Sequence, residues 1–201
     1  MFTMRILAIE TSVGNCTVAL REGNRVLLSI SQRKTSQSEE LVPRINALLE
    51  ASSLKYQNLD MIACTTGPGS FTGIRVGIAT ARGIKKAIPH IRTIGISTLE
   101  LIAFCNGYNK SLIALQSYGN TFYAQEFEMN CSFSKEIYIT NHVNLIQNPN
   151  DKAVVYLNEA HKYINAYNIL RLVHSNSSLN QNSILTPIYA QQPNIHIKKN
   201  V

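Results

Sequence analysis

The opening thirty residues constrain the fold more than any other stretch. Arg5-Ile6-Leu7-Ala8-Ile9-Glu10 reads as a buried apolar strand. Residues 15–20 alternate, with Cys16, Val18 and Leu20 on one face. Arg21-Glu22-Gly23-Asn24 is a turn, and residues 25–31 supply a third strand. The connectors are only a few residues long. A parallel pair needs a crossover of about a dozen residues, so these three strands predict an antiparallel meander.

Beyond residue 35 the pattern alternates between helix and strand. Residues 36–53 read as a helix whose apolar stripe is Leu41, Ile45, Leu48 and Leu49. Ser38 is its expected cap, Glu39 and Glu40 suit the positive first turn, and Pro43 marks that end or a kink. Residues 60–65 and 92–96 are strands; residues 73–88 and 99–105 are helices. Strands are expected at residues 112–116 and 121–127, joined through Gly119, with further candidates at 137–140, 153–157 and 169–173. Residues 106–201 hold 16 of the 20 asparagines and two of the ten glycines, a shift that predicts two lobes, 1–106 and 107–201. The last segment can return to the first lobe. A meander, then alternating helices and strands, then a smaller lobe opening on its own hairpin, points to a two-lobed α/β fold of the actin-like kind, with mixed sheets.

At 201 residues and 45% hydrophobic content the chain can bury a real core. It holds no run of about 18 apolar residues that could span a bilayer. Met1 to Leu7 lacks a basic region followed by a long apolar core, so no signal peptide and a cytoplasmic location are expected. Cys16, Cys64, Cys105 and Cys131 form no Cys-x-x-Cys pair and read as reduced, buried thiols. The net charge of +7 permits contact with nucleic acid. Yet the basic residues are scattered, apart from Arg82 with Lys85-Lys86 and Lys198-Lys199, and no aromatics interleave with them.

Gly67-Pro68-Gly69-Ser70-Phe71-Thr72-Gly73-Ile74-Arg75-Val76-Gly77 is the most informative segment, since half of all the glycines fall between Gly67 and Gly83. A sharp turn comes directly after a strand, and Ser70 or Thr72 can cap the next helix. Gly73, Gly77 and Ala81 then stand four residues apart on one helical face. Interior glycines cost about 1 kcal/mol each relative to alanine, so something must pack closely on that face. Three readings are open on the residues alone: a phosphate-binding loop, packing inside the chain's own core, and a helix-on-helix contact with a partner. The first lacks the lysine of a Gly-x-x-x-x-Gly-Lys-Ser loop.

Glu10-Thr11-Ser12-Val13-Gly14 places an acid at the end of a strand, then hydroxyls and a glycine. Glu10, Thr11 and Ser12 could hold phosphate through hydroxyls and backbone N–H groups, or form an ordinary polar turn with Glu10 solvated or capping it. His90, His142, His161, His174 and His196 include no i, i+4 pair, so no metal site and no catalytic residue is expected. Nor is there a Gly-x-Ser-x-Gly elbow.

At Arg5 to Ser12, Cys16-Thr17-Val18-Ala19-Leu20, Gly67 to Gly77 and Ile94-Gly95-Ile96-Ser97-Thr98-Leu99 the chain resembles the TsaB family of threonylcarbamoyladenosine biosynthesis proteins. Pro187-Ile188-Tyr189 is similar to the family's Pro-x-Tyr. The resemblance is strong over residues 4–105 and weak beyond. It implies an actin-like fold and a scaffold subunit without a cofactor. Such a subunit pairs with a TsaD-like catalytic subunit and helps recruit a TsaE-like ATPase for modification of the adenosine beside the anticodon. It also implies a partner-binding face of Leu41, Ile45, Gly69, Ser70, Phe71, Thr72, Gly73, Arg75, Gly77 and Ala81. Contact with tRNA would be weak or indirect, and the chain alone could be a homodimer. Two departures stand out. Ser36-Gln37-Ser38 lies where family members carry a histidine, and Ala114-Leu115-Gln116-Ser117-Tyr118 replaces Ala-x-Asp-Ala-Arg. The alternatives are an actin-like ATPase or phosphotransferase, which needs a second acid where Gln116-Ser117 stands, and a glycoprotease-like metallopeptidase, which needs a ligand cluster.

Overall fold

In the computed structural model, residues 4–31, 36–107, 112–127, 136–141, 152–175 and 185–190 are described. Strands β1 (Arg5–Glu10), β2 (Thr17–Glu22) and β3 (Arg25–Ile30) form the expected meander, each pair antiparallel. Helix α1 (Gln37–Ala51) then crosses to β4 (Met61–Gly67), and α2 (Phe71–Ala87) crosses to β5 (Arg92–Ser97). The crossovers make β1–β4 and β4–β5 parallel, so the sheet β3-β2-β1-β4-β5 is mixed. Helix α3 (Thr98–Cys105) leads to a second mixed sheet, β8-β7-β6-β9, built from β6 (Leu112–Gln116), β7 (Thr121–Glu126), β8 (Tyr138–Asn141) and β9 (Lys152–Val155). Only the β6–β9 pair is parallel there.

Strand β1 is apolar on both faces because both are covered. Leu7 and Ile9 join Ile45, Leu48 and Ile78 beneath α1 and α2, while Ile6 and Ala8 join Ile113, Leu115 and Val155 of the second sheet. One core therefore runs from the first sheet into the second.

Three local expectations change. Residues 169–173 are not a strand but the heart of helix α4 (Ala166–Ser175). Ala166, Ile169, Leu170, Leu172 and Val173 are buried at a 3–4-residue spacing, which a helix can present to one surface and a strand cannot. That helix packs on β1, β2 and α3, with the Ala166 amide donating to Thr17 Oγ1 at 2.9 Å. Helix α1 begins before Ser38, whose hydroxyl pairs with that of Ser36, and it runs on through Pro43. Cys16 and Cys64 are buried as expected, but Cys105 is half-buried, and Cys131 lies outside the described residues. Among the described residues no helix is long and apolar enough to cross a membrane.

Candidate functional site

The glycine-rich turn forms where β4 must reverse into α2. Gly67 has φ +107°, a conformation that residues with a Cβ rarely adopt, and its peptide bond to Pro68 is cis. Ser70 then caps α2, its Oγ accepting the Gly73 amide at 3.2 Å. The Ser70 amide donates to the Ser12 carbonyl at 2.7 Å, so this turn is docked on the turn after β1.

The smooth face of α2 points into the protein. A Cβ on Gly73 would lie 1.9 Å from the Thr11 carbonyl oxygen, and one on Gly77 would lie 2.5 Å from Thr11 Oγ1 and 3.1 Å from Cys64 Sγ. The missing side chains let α2 settle onto the ends of β1 and β4, where Thr11 Oγ1 donates to the Gly73 carbonyl at 2.7 Å. Leu41, Ile45 and Ala81 are fully buried as well. Of the ten residues expected to face a partner, these five turn inward because the sheet needs them. Ser70, Phe71, Thr72 and Arg75 are exposed, and Gly69 is partly so.

Glu10 is fully buried and caps its own turn. Its Oε1 accepts from the Ser12 amide at 2.6 Å, Ser12 Oγ at 2.7 Å and the Val13 amide at 3.0 Å. Burial pushes its pKa up, and the bonds from Ser12 and Val13 oppose that. The Thr65 hydroxyl stands close enough to favour the charged form, yet neither Glu10 Oε2 nor Thr65 Oγ1 completes a hydrogen bond of good geometry. The solvated alternative for Glu10 is thereby excluded, and the capping one holds.

A cleft of about 310 Å³ opens between the two sheets. Ser12, Gly14, Gly69, Ser70, Gln116 and Ser117 give it polar groups, and Val13, Leu115, Tyr123 and Leu157 add further wall, so among the described residues its lining carries no charged side chain. Gln116 is committed to local structure, its Oε1 accepting from the Leu157 amide at 3.1 Å and its Nε2 donating to the Gly119 carbonyl at 2.9 Å. Gln37, within the Ser36-Gln37-Ser38 stretch that stands in the region of the family's histidine, donates to the Gly14 carbonyl at 3.0 Å and ties α1 to the same turn. Among the described residues no three of His, Cys, Asp or Glu gather to hold a metal ion.

Sequence spacing alone misses one connection. Tyr189, far along the chain, stacks on Phe71 at 5.1 Å between ring centroids, and its hydroxyl accepts from Arg75 Nε at 2.9 Å. The Pro187-Ile188-Tyr189 motif was the available signal, but spacing cannot say which helix such a motif will meet.

Residues 30–128 match the family model described as TsaD, tRNA N6-adenosine threonylcarbamoyltransferase. The chain is 31% identical over 129 residues to the tRNA threonylcarbamoyladenosine biosynthesis protein TsaB of Escherichia coli, which covers 62% of this chain and 55% of that protein. It is 35% identical over 99 residues to the TsaB of Buchnera aphidicola from Schizaphis graminum, covering 49% and 46%. Over these stretches the chain is similar to TsaB proteins. The matched stretches span about half the length of these relatives. A solved structure described as an uncharacterized protein with similarity to peptidase YEAZ from Pseudomonas aeruginosa superposes with a TM-score of 0.73 at 18% identity, covering 94% of this chain and all of that one. The two mixed sheets with their covering helices are an actin-like fold.

Proposed function

We propose that this chain is a non-catalytic subunit acting in the cytoplasm in the formation of threonylcarbamoyladenosine in tRNA. In this reading it docks on a TsaD-like transferase and helps bring a TsaE-like ATPase to the assembly. The single observation that carries it is the fate of Glu10: the acid at the end of β1 is turned back to cap its own turn, and the described residues that line the cleft are uncharged. A cleft that positions a metal-bound triphosphate works through charged groups, so this lining favours a supporting role over phosphoryl transfer. The TsaB homologues favour the pathway.

The docking face we assign is the outer surface of α1 and α2. The two helices lie side by side on one face of the first sheet. Val42, Ala47, Thr72 and Ala79 are exposed there, with Phe71 and Arg75 at the rim. Small and apolar groups on paired helices suit close helix packing against another pair. We further divide the chain near Asn106-Gly107, with α4 and residues 185–190 returning to the first lobe.

The test is depletion of the protein, then mass spectrometry of nucleosides from digested tRNA. The modification should vanish while tRNA abundance holds, and return with the wild-type gene but not with Ala47→Arg, a folded variant with a blocked face. Unchanged modification after complete depletion overturns the assignment.

A further inference from the structure

The segment from Leu185 to Ala190 crosses the start of α2 as a strap. Leu185 is buried in the core beneath α1 and α2, and Arg82 Nη2 donates to its carbonyl. The Ile188 amide donates to the Thr66 carbonyl at 2.7 Å, a path kept open by Gly67, whose Cβ would stand 2.7 Å from the Ile188 oxygen. These anchors deliver Tyr189 to the first two turns of α2. There the Arg75 guanidinium carbon lies 3.7 Å from the centroid of the Phe71 ring, and its Nε is spent on the Tyr189 hydroxyl. Phe71 and Tyr189 are each 40% exposed. Among the described residues Arg75 makes no salt bridge, and neither Nη atom has a partner.

We propose that Arg75, locked by Phe71 and Tyr189, is a preformed seat for one carboxylate of the docking partner, an aspartate or glutamate on the helix that meets α2. This inference rests on the proposed docking of α1 and α2. Stacking and the Nε bond fix the guanidinium plane, so its two free Nη groups can grip a carboxylate in a two-pronged bond without first losing side-chain freedom. Exposed tyrosine and arginine are also the residue types that concentrate binding energy at interfaces. An RNA phosphate is the poorer occupant, because binding a nucleic-acid backbone takes several cations together. The next cations on α2 are far off or engaged: Lys85 and Lys86 are about 15 Å or more along the helix, Lys85 donating to the Pro89 carbonyl, and Arg82 donates to the Leu185 carbonyl. Tyr189 is thus a positioning residue, acting on the partner through Arg75.

The experiment is titration calorimetry of the full chain with the TsaD-like transferase from the same genome, at low and high salt, with urea unfolding of every variant. Arg75→Gln should bind roughly ten- to hundredfold more weakly and lose the salt dependence of the wild type. Arg75→Lys should not restore binding, since an ammonium has no planar fork. Tyr189→Phe keeps the ring, loses the hydroxyl and should bind roughly two- to tenfold more weakly, with its urea midpoint unchanged. Wild-type affinity in Arg75→Gln overturns the seat and leaves the docking reading standing if Ala47→Arg still abolishes the complex. Absence of any complex with the wild type overturns the docking reading and the seat together. Loss of tRNA binding in Arg75→Gln with partner affinity intact assigns the arginine to RNA and also overturns the proposal.

Discussion

Replacing Gly73 by alanine sets two effects against each other. In an open helical position alanine is favoured over glycine by about 1 kcal/mol. At Gly73 the new Cβ would stand 2.6 Å from Gln37 Oε1, which can swing aside, and 1.9 Å from the Thr11 carbonyl oxygen, which cannot. That carbonyl belongs to a turn held by the Glu10 carboxylate and by the Ser70 amide on Ser12. Relief means moving α2 off β1 and breaking the buried Thr11–Gly73 hydrogen bond. Overpacking costs roughly 1–3 kcal/mol and the lost bond roughly 1 more. A rigid backbone neighbour puts the sum near its upper end, so after the propensity gain the net loss is about 2–3 kcal/mol, or a fall in Tm of roughly 4–12 °C. Gly83 lies on the same helix with nothing within 4 Å of its would-be Cβ, so Gly83→Ala should instead be stabilising by up to about 1 kcal/mol. Equilibrium urea unfolding of the two variants beside the wild type reads both signs. If Gly73→Ala is as stable as wild type, the close approach of α2 to the Thr11 turn is not what holds the first lobe together.

Glu100 carries a pH-dependent penalty, since burial raises its pKa from 4.5 to about 6 against the opposing bond from the Ser97 backbone. The folded state holds this proton more tightly than the unfolded one. Stability should therefore fall as pH rises between about 4.5 and 6, by about 2 kcal/mol in total, and Glu100→Gln should flatten that slope in unfolding curves taken at several pH values. A slope unchanged in the variant assigns the pH dependence to another group. Thr11→Val keeps the shape of the side chain but removes its bond to the Gly73 carbonyl, which keeps its place in the helix ladder, and should lower the unfolding free energy by roughly 0.5–1.5 kcal/mol; an unchanged urea midpoint contradicts the role given to that bond. Val42→Asp, at a side chain 44% exposed on the outer face of α1, should leave the urea midpoint in place while preventing a pull-down of the TsaD-like transferase; co-purification at wild-type yield removes α1 from the docking face.

The sequence by itself determined the parts governed by neighbours along the chain. Short connectors force β1, β2 and β3 to be antiparallel, and long ones allow β4 and β5 to lie parallel, so the mixed sheet was legible from loop lengths alone. The turn at Gly67, a cap at Ser70 or Thr72 and the apolar stripe of α1 were legible for the same reason, each depending on residues within one or two turns, and the structure puts the cap at Ser70. The strand assigned to 169–173 failed because a short apolar run fits a strand and a buried helix face equally, and only the surface of β1 and β2 beneath α4 decides between them. Tertiary structure alone decided which way the glycine face looks. Periodicity marks Gly73, Gly77 and Ala81 as one stripe that something must touch closely, but a stripe packs equally well on a foreign helix or on its own sheet. The direction depends on where Thr11 and Cys64 end up, and that is set by strand pairing between β1 and β4, distant in the chain. Tyr189 reaches Arg75 across a still longer separation, through a strap whose anchors are two backbone carbonyls and one buried leucine, none of which leaves a local signature in the chain.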